Sequence, residues 1–167
     1  SENRPYIPFG FFDKNSIVSD TCMSIPNGNK YHFGVLMSKM HMAWVKYICG
    51  RLKSDFRYSK DIVYNNYPWP ENPNEKQIGA IEKATEKVLE AREHFPNSSL
   101  ADLYSPLTMP EQLVKAHNEL DKAVDLAYRP QAFTSEANRM EFLFGLYEKY
   151  TADLFTKDNA KKKGKSS

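Results

Sequence analysis

Residues 51–58, Arg-Leu-Lys-Ser-Asp-Phe-Arg-Tyr, alternate charged with uncharged side chains at period two. In an extended strand Arg51, Lys53, Asp55 and Arg57 would share one face. Long cationic donors interleaved with one carboxylate acceptor suit the donor and acceptor edges of base pairs. A pure phosphate track has no use for Asp55, which repels phosphate. The same spacing also suits a solvated strand face crossed by ion pairs, and spacing alone leaves both readings open. Arg51, Lys46, Lys60 and Tyr58 are of the type that contacts phosphates, positioning a protein without specifying a base.

The elements that must position these residues can be read from patterning. Residues 4–12 are aromatic and Pro-rich, an extended edge segment. Ile17 to Ile25 reads as a strand ending at the turn Pro26-Asn27-Gly28-Asn29. Phe33, Leu36, Met37, Met40, Ala43, Trp44, Tyr47 and Ile48 recur at helical spacing, predicting one buried helix over 31–49 closed by Gly50. Two further strands are expected at about 51–58 and 61–64. Tyr67-Pro68-Trp69-Pro70 is a rigid connector, with Tyr67 and Trp69 expected to plug a domain junction.

Beyond it the chain turns to polar, acidic helices. The first is expected to open at Asn72, as N-cap, with Pro73 at N1 and Glu75 at N3, and to run to about His94. The second opens at a capping box on Thr108 and runs to Tyr128. The third runs from near Ser135 to about Phe155, and the three should make a small bundle. The fold class expected is therefore α+β, a partial mixed α/β unit over 1–70 followed by an all-α bundle over 71–156. Residues 157–167 read as a disordered basic tail.

Composition sets the outer bounds. At 167 residues, 41% hydrophobic and 13% aromatic, the chain can build a core. Cys22 and Cys49 have neither metal-ligand spacing nor the number for a disulfide framework, which suits a reducing cytoplasm. No apolar run approaches the roughly 18 residues that cross a bilayer, so no membrane role is expected. The chain opens without Met and reads as a piece of a longer protein. Residues 1–70 hold nine Lys/Arg against five Asp/Glu, residues 71–156 nine against fifteen, and the last eleven five against one. Any nucleic-acid contact is thereby assigned to the first segment, since the acidic middle is repelled. His32 and His41 lie nine apart, the wrong spacing for a metal pair, and are expected to be structural.

Five separated stretches, in order, resemble one family: Tyr-Ile-Pro-Phe-Gly-Phe-Phe at 6–12, Tyr-His-Phe-Gly-Val-Leu-Met-Ser at 31–38, Met-His-Met-Ala-Trp-Val at 40–45, Cys-Gly-Arg-Leu-Lys-Ser at 49–54 and Tyr-Ser-Lys-Asp-Ile-Val-Tyr-Asn-Asn at 58–66. They are similar to the end of the target-recognition domain of MmeI-like enzymes. These are bacterial type II restriction–modification proteins that fuse a nuclease, an adenine-specific DNA methyltransferase and a recognition domain. Ser-Ser-Leu-Ala-Asp-Leu-Tyr at 98–104, Pro-Leu-Thr-Met-Pro at 106–110 and Leu-Asp-Lys-Ala-Val-Asp at 120–125 resemble the helical region that follows.

The resemblance implies that residues two apart after Gly-Arg-Leu choose a base pair, and it favours base reading by Lys53, Asp55 and Arg57. Side-chain chemistry then assigns Lys53 to guanine O6/N7 and Asp55 to cytosine N4, with Arg57 reading a neighbouring base or bracing the pair. The partners implied are double-stranded DNA and an upstream methyltransferase domain of the same parent chain. The Gly-rich loop for S-adenosylmethionine and the paired-proline motif for a flipped adenine are absent, as is a nuclease carboxylate cluster. The expectation is a non-catalytic, DNA-recognising part of an S-adenosylmethionine-dependent enzyme. The rival expectations are a specificity subunit acting in trans and a helical protein-interaction module.

Overall fold

The structure, a computed structural model, describes residues 4–19, 22–52 and 55–163, with backbone alone at 50–52, 55–57 and 153–163. Among the described residues there are six α-helices: α1 (Lys30–Leu36), α2 (Lys39–Ile48), α3 (Glu75–Glu93), α4 (Leu100–Leu103), α5 (Glu111–Tyr128) and α6 (Glu136–Lys163). A π-helical turn spans Lys60–Tyr64. The β structure among the described residues is one antiparallel pair, β1 (Gly50–Leu52) and β2 (Asp55–Arg57). The expected α+β class is therefore wrong. The fold is helical, with a ribbon too small to form a layer.

Three local reasons account for the difference. Among the described residues of 17–25 no strand forms: Ile17 is 100% exposed, and the Cys22 N–H is satisfied locally, donating to the Ser19 carbonyl at 2.9 Å rather than to a neighbouring strand. The expected strand over 51–58 is instead two strands, with Gly50 opposite Arg57, Arg51 opposite Phe56 and Leu52 opposite Asp55. Residues 62–64 are β-branched and aromatic, yet Ser59 caps the Ile62 N–H and turns them into the π-helical turn.

The expected single helix over 31–49 is two. Asn29 and His32 form a capping box that starts α1. Ser38 then separates the helices: its hydroxyl donates to the Val35 carbonyl at 2.7 Å and accepts from the His41 N–H at 3.4 Å. One side chain thus satisfies groups at the end of α1 and the start of α2. The cap of α3 is Asn74 with Gln77, two residues past the expected Asn72, whose φ of 48° keeps it outside the helix. Thr108 does not cap α5, which begins after Pro110 without a side-chain cap; its hydroxyl bonds the Asp102 carbonyl instead. Helix α4, capped by Ser99 and Asp102, was not anticipated.

Packing also departs from a three-helix bundle. Helix α3 packs on α5 and α1, whereas α6 packs chiefly on α2. One cluster of buried apolar side chains runs from Tyr6 through Trp44, Val63, Ile81 and Leu120 to Leu143. Each such side chain contributes roughly 1.5–3 kcal/mol when fully buried.

Helix α1 lies tightly against α3 and α5 at Gly34. A Cβ there would overlap the Thr85 hydroxyl and lie 2.7 Å from Ile81 Cγ2. Thr85 cannot swing away freely, because its hydroxyl donates to the Lys30 carbonyl at 3.1 Å. Gly34→Ala is expected to lower stability by about 1–3 kcal/mol from overpacking, outweighing the roughly 1 kcal/mol gain in helix propensity. Denaturant unfolding checks this, and a midpoint at or above the parent's would contradict it.

Candidate nucleic-acid interface

The ribbon Gly50–Arg57 is held at both ends by the helical core. Cys49, buried at the end of α2, precedes it, and its N–H donates to the Val45 carbonyl at 2.9 Å. Tyr58 follows it, and its hydroxyl lies 3.0 Å from His41 Nε2. His41 Nδ1 lies 2.8 Å from the Leu36 carbonyl, which can only accept, so Nδ1 carries the proton and Nε2 accepts from Tyr58. Burial lowers the His41 pKa to about 4, keeping the ring neutral, and raises that of Tyr58. A second anchor comes from Trp44, whose indole N–H donates to the Val63 carbonyl at 3.0 Å and so fixes the π-helical turn after the ribbon.

The candidate residues distribute unevenly about this ribbon. Lys53 lies outside the described residues. Asp55 and Arg57 lie on β2, opposite Leu52 and Gly50, while Arg51 pairs with Phe56 and so no longer shares their phase in the ladder. Lys60 is exposed at the first position of the π-helical turn. Lys46 is paired with Glu136 of α6 at 2.5 Å. Tyr58 points inward to His41, and its ring meets Phe9 edge-on.

The connector joins the two halves through aromatic groups. Tyr67 is 4% exposed and sits edge-on to His41 and Trp44. Tyr128 donates to the Pro68 carbonyl at 2.8 Å, so the 2.8 Å contact with Tyr67 is donated by Tyr67. Trp69 is half-buried among Tyr31, His32, Tyr64 and Tyr67, and its carbonyl accepts from Tyr150.

Sequence reasoning missed a buried polar network beneath residues 6–9. Asp121, 5% exposed, accepts from the Tyr6 hydroxyl and from the Lys39 N–H, both at 2.7 Å. Burial nevertheless raises its pKa. Arg92 donates to the Phe9 carbonyl and to Tyr104, whose proton therefore goes to His117 Nε2 at 2.8 Å. Burial, with Arg92 and Lys39 nearby, lowers the His117 pKa to about 3. Arg92, His117 and Asp121 sit singly on amphipathic helices with no spacing signal, so only the long-range partners reveal them. The network ties the N-terminal segment to α2, α3 and α5.

Two clefts open on the surface. One of about 590 Å³ is lined by Lys39, Asp121, Asp125, Arg129 and Arg139, with Arg139 and Asp125 paired at 2.6 Å. The other, about 550 Å³, is lined by Phe9, Phe11, Phe12, Met23 and Phe33. The second also takes in Gly10 and the turn Pro26-Asn27-Gly28-Asn29 that leads into α1, but a single glycine in that turn is not the glycine-rich loop that cradles S-adenosylmethionine. Among the described residues no group of three His, Cys, Asp or Glu is placed to hold a metal ion, and no helix is long and apolar enough to cross a membrane.

The described residues form a helical body carrying a short two-stranded ribbon. The family models for the MmeI target recognition domain and the MmeI C-terminal domain match residues 1–71 and 73–155, and the chain belongs to the MmeI family. It is 44% identical over 151 residues to DNA methyltransferase A of Bacillus subtilis strain 168, covering 90% of this chain and 17% of that protein. A solved structure of the Type IIL restriction-modification enzyme MmeI in complex with DNA superimposes with a TM-score of 0.86 at 49% identity. That match covers 91% of this chain and 20% of MmeI, so the chain spans about a fifth of the length of these relatives.

Proposed function

We propose that this chain is the sequence-reading C-terminal part of a fused restriction–modification DNA methyltransferase, and that the ribbon Gly50–Arg57 enters the major groove of DNA. The observation that carries the reading is the ribbon itself. A two-stranded antiparallel ribbon is of a width the major groove admits. This one bears Arg51, Asp55 and Arg57 and is clamped at its base by buried groups. Lys53, Asp55 and Arg57 contact base edges, and Arg51 and Lys60 contact phosphates. Lys46 contributes where its pairing with Glu136 yields to a phosphate. Residues 71–156, acidic overall, brace the reading segment without touching the duplex. The S-adenosylmethionine site, the methyltransferase domain and any nuclease belong to the parent chain, which works in the cytoplasm.

The similarity to MmeI, whose solved complex contains DNA, supports this reading. Lys60→Ala in the full-length protein is expected to weaken binding to every duplex equally. It should also lower the slope of log affinity against log salt by about one unit. Binding measured over a salt series decides the matter. An unchanged slope removes Lys60 from the interface, and DNA affinity indifferent to salt would overturn the whole reading.

A further inference from the structure

Of the uncharged side chains flanking the ribbon, Tyr58 follows it directly, and its hydroxyl is spent inside the protein. We infer that Tyr58 and His41 form a positioning device for the ribbon: the Tyr58 hydroxyl, donating to His41 Nε2, fixes the exit of β2 against α2 so that Asp55 and Arg57 meet base edges in one register. The inference rests on the reading of the ribbon proposed above.

The geometry supports this role over a phosphate contact. Tyr58 O–H has one proton, and His41 Nε2 is its acceptor at 3.0 Å, in a tautomer set by the 2.8 Å contact of Nδ1 with the Leu36 carbonyl. Leu36 ends α1 and His41 lies in the first turn of α2, so the relay runs from the α1–α2 junction to the ribbon. The Tyr58 ring is wedged edge-on to Phe9 at 6.4 Å and to His41 at 5.7 Å, which removes its freedom to swing outward. Tyr67 packs on the other ring contact of His41, with centroids 4.9 Å apart. The connector and the ribbon exit are thus referred to a single imidazole. A base-reading pair must be held within about half an ångström of its productive geometry, and two three-residue strands cannot supply that stiffness alone.

The test is a double-variant cycle in the full-length protein, with binding measured on its own recognised duplex and on a scrambled one. The recognised duplex is found first by mapping methylated sites. Tyr58→Phe is expected to lower affinity for the recognised duplex about tenfold and leave the scrambled duplex unchanged. His41→Phe should do the same, and the double variant should lose no more than either alone. Equal loss on both duplexes would instead make Tyr58 a phosphate contact. A lowered melting temperature with an unchanged ratio of the two affinities would make its role structural only; either result overturns the inference. If His41→Phe does not fold, the ratio for Tyr58→Phe decides by itself. Asp55→Ala in the same assay separates the two levels: a ratio that collapses for Asp55→Ala and not for Tyr58→Phe sinks the positioning role alone. A ratio unchanged in both sinks the base-reading proposal with it.

Discussion

Exchanging Lys53→Glu together with Asp55→Arg in the full-length protein is expected to invert the preferred base pair at one position of its site, from G·C to C·G. Lysine donates to guanine O6/N7 and aspartate accepts from cytosine N4, so the exchanged pair presents acceptor and donor in reverse order. Asp55 lies opposite Leu52 in the ladder, and Lys53, two positions before Asp55 in sequence, lies outside the described residues. Either single exchange should instead lose binding by about 1–3 kcal/mol, because like functions then face like. Sequencing of methylated sites is the decisive measurement. Normal activity on an unchanged site in the double variant would show that these two residues do not read DNA.

Removing the Trp44 side chain is expected to have the largest effect on stability. The ring is 1% exposed and packs against Tyr67, Phe144 and Tyr147, so it joins α2, the connector and α6. Trp44→Ala should cost about 3–5 kcal/mol, a large share of the roughly 5–15 kcal/mol that holds a domain folded. Trp44→Phe isolates the polar part: it keeps most of the packing but orphans the buried Val63 carbonyl, at about 1–3 kcal/mol. Equilibrium unfolding of both variants tests this. A Trp44→Ala midpoint close to the parent's would mean that the core does not converge on this ring.

Trp44 also shows where sequence reading succeeds and where it stops. Its helical spacing with Met40 and Ala43 marked it as buried, because amphipathic periodicity is a local property. That its indole holds a carbonyl nineteen residues on, in a π-helical turn, is not local and left no pattern. The same division explains the strands. Period-two alternation at 51–58 is compatible with one strand or with a reversal, and the reversal changes which residues share a phase. Patterning marked the segment as extended and gave it the wrong shape.

The sequence by itself determined the existence and approximate limits of α3, α5 and the start of α6, through periodic apolar positions and acidic first turns. It also determined the family, through ordered motifs, and the segment that carries the candidate reading residues. Only the tertiary structure decided that α6 packs chiefly on α2, that Ser38 splits the first helical stretch in two, and that Tyr58 faces His41. Only it revealed that Asp121 and Arg92 tie residues 6 and 9 to α2, α3 and α5. The physical reason is range. Helical periodicity and caps are fixed by neighbours three or four residues apart, whereas a buried polar group takes whatever partner the packed core brings to it. Here those partners lie up to 115 residues away.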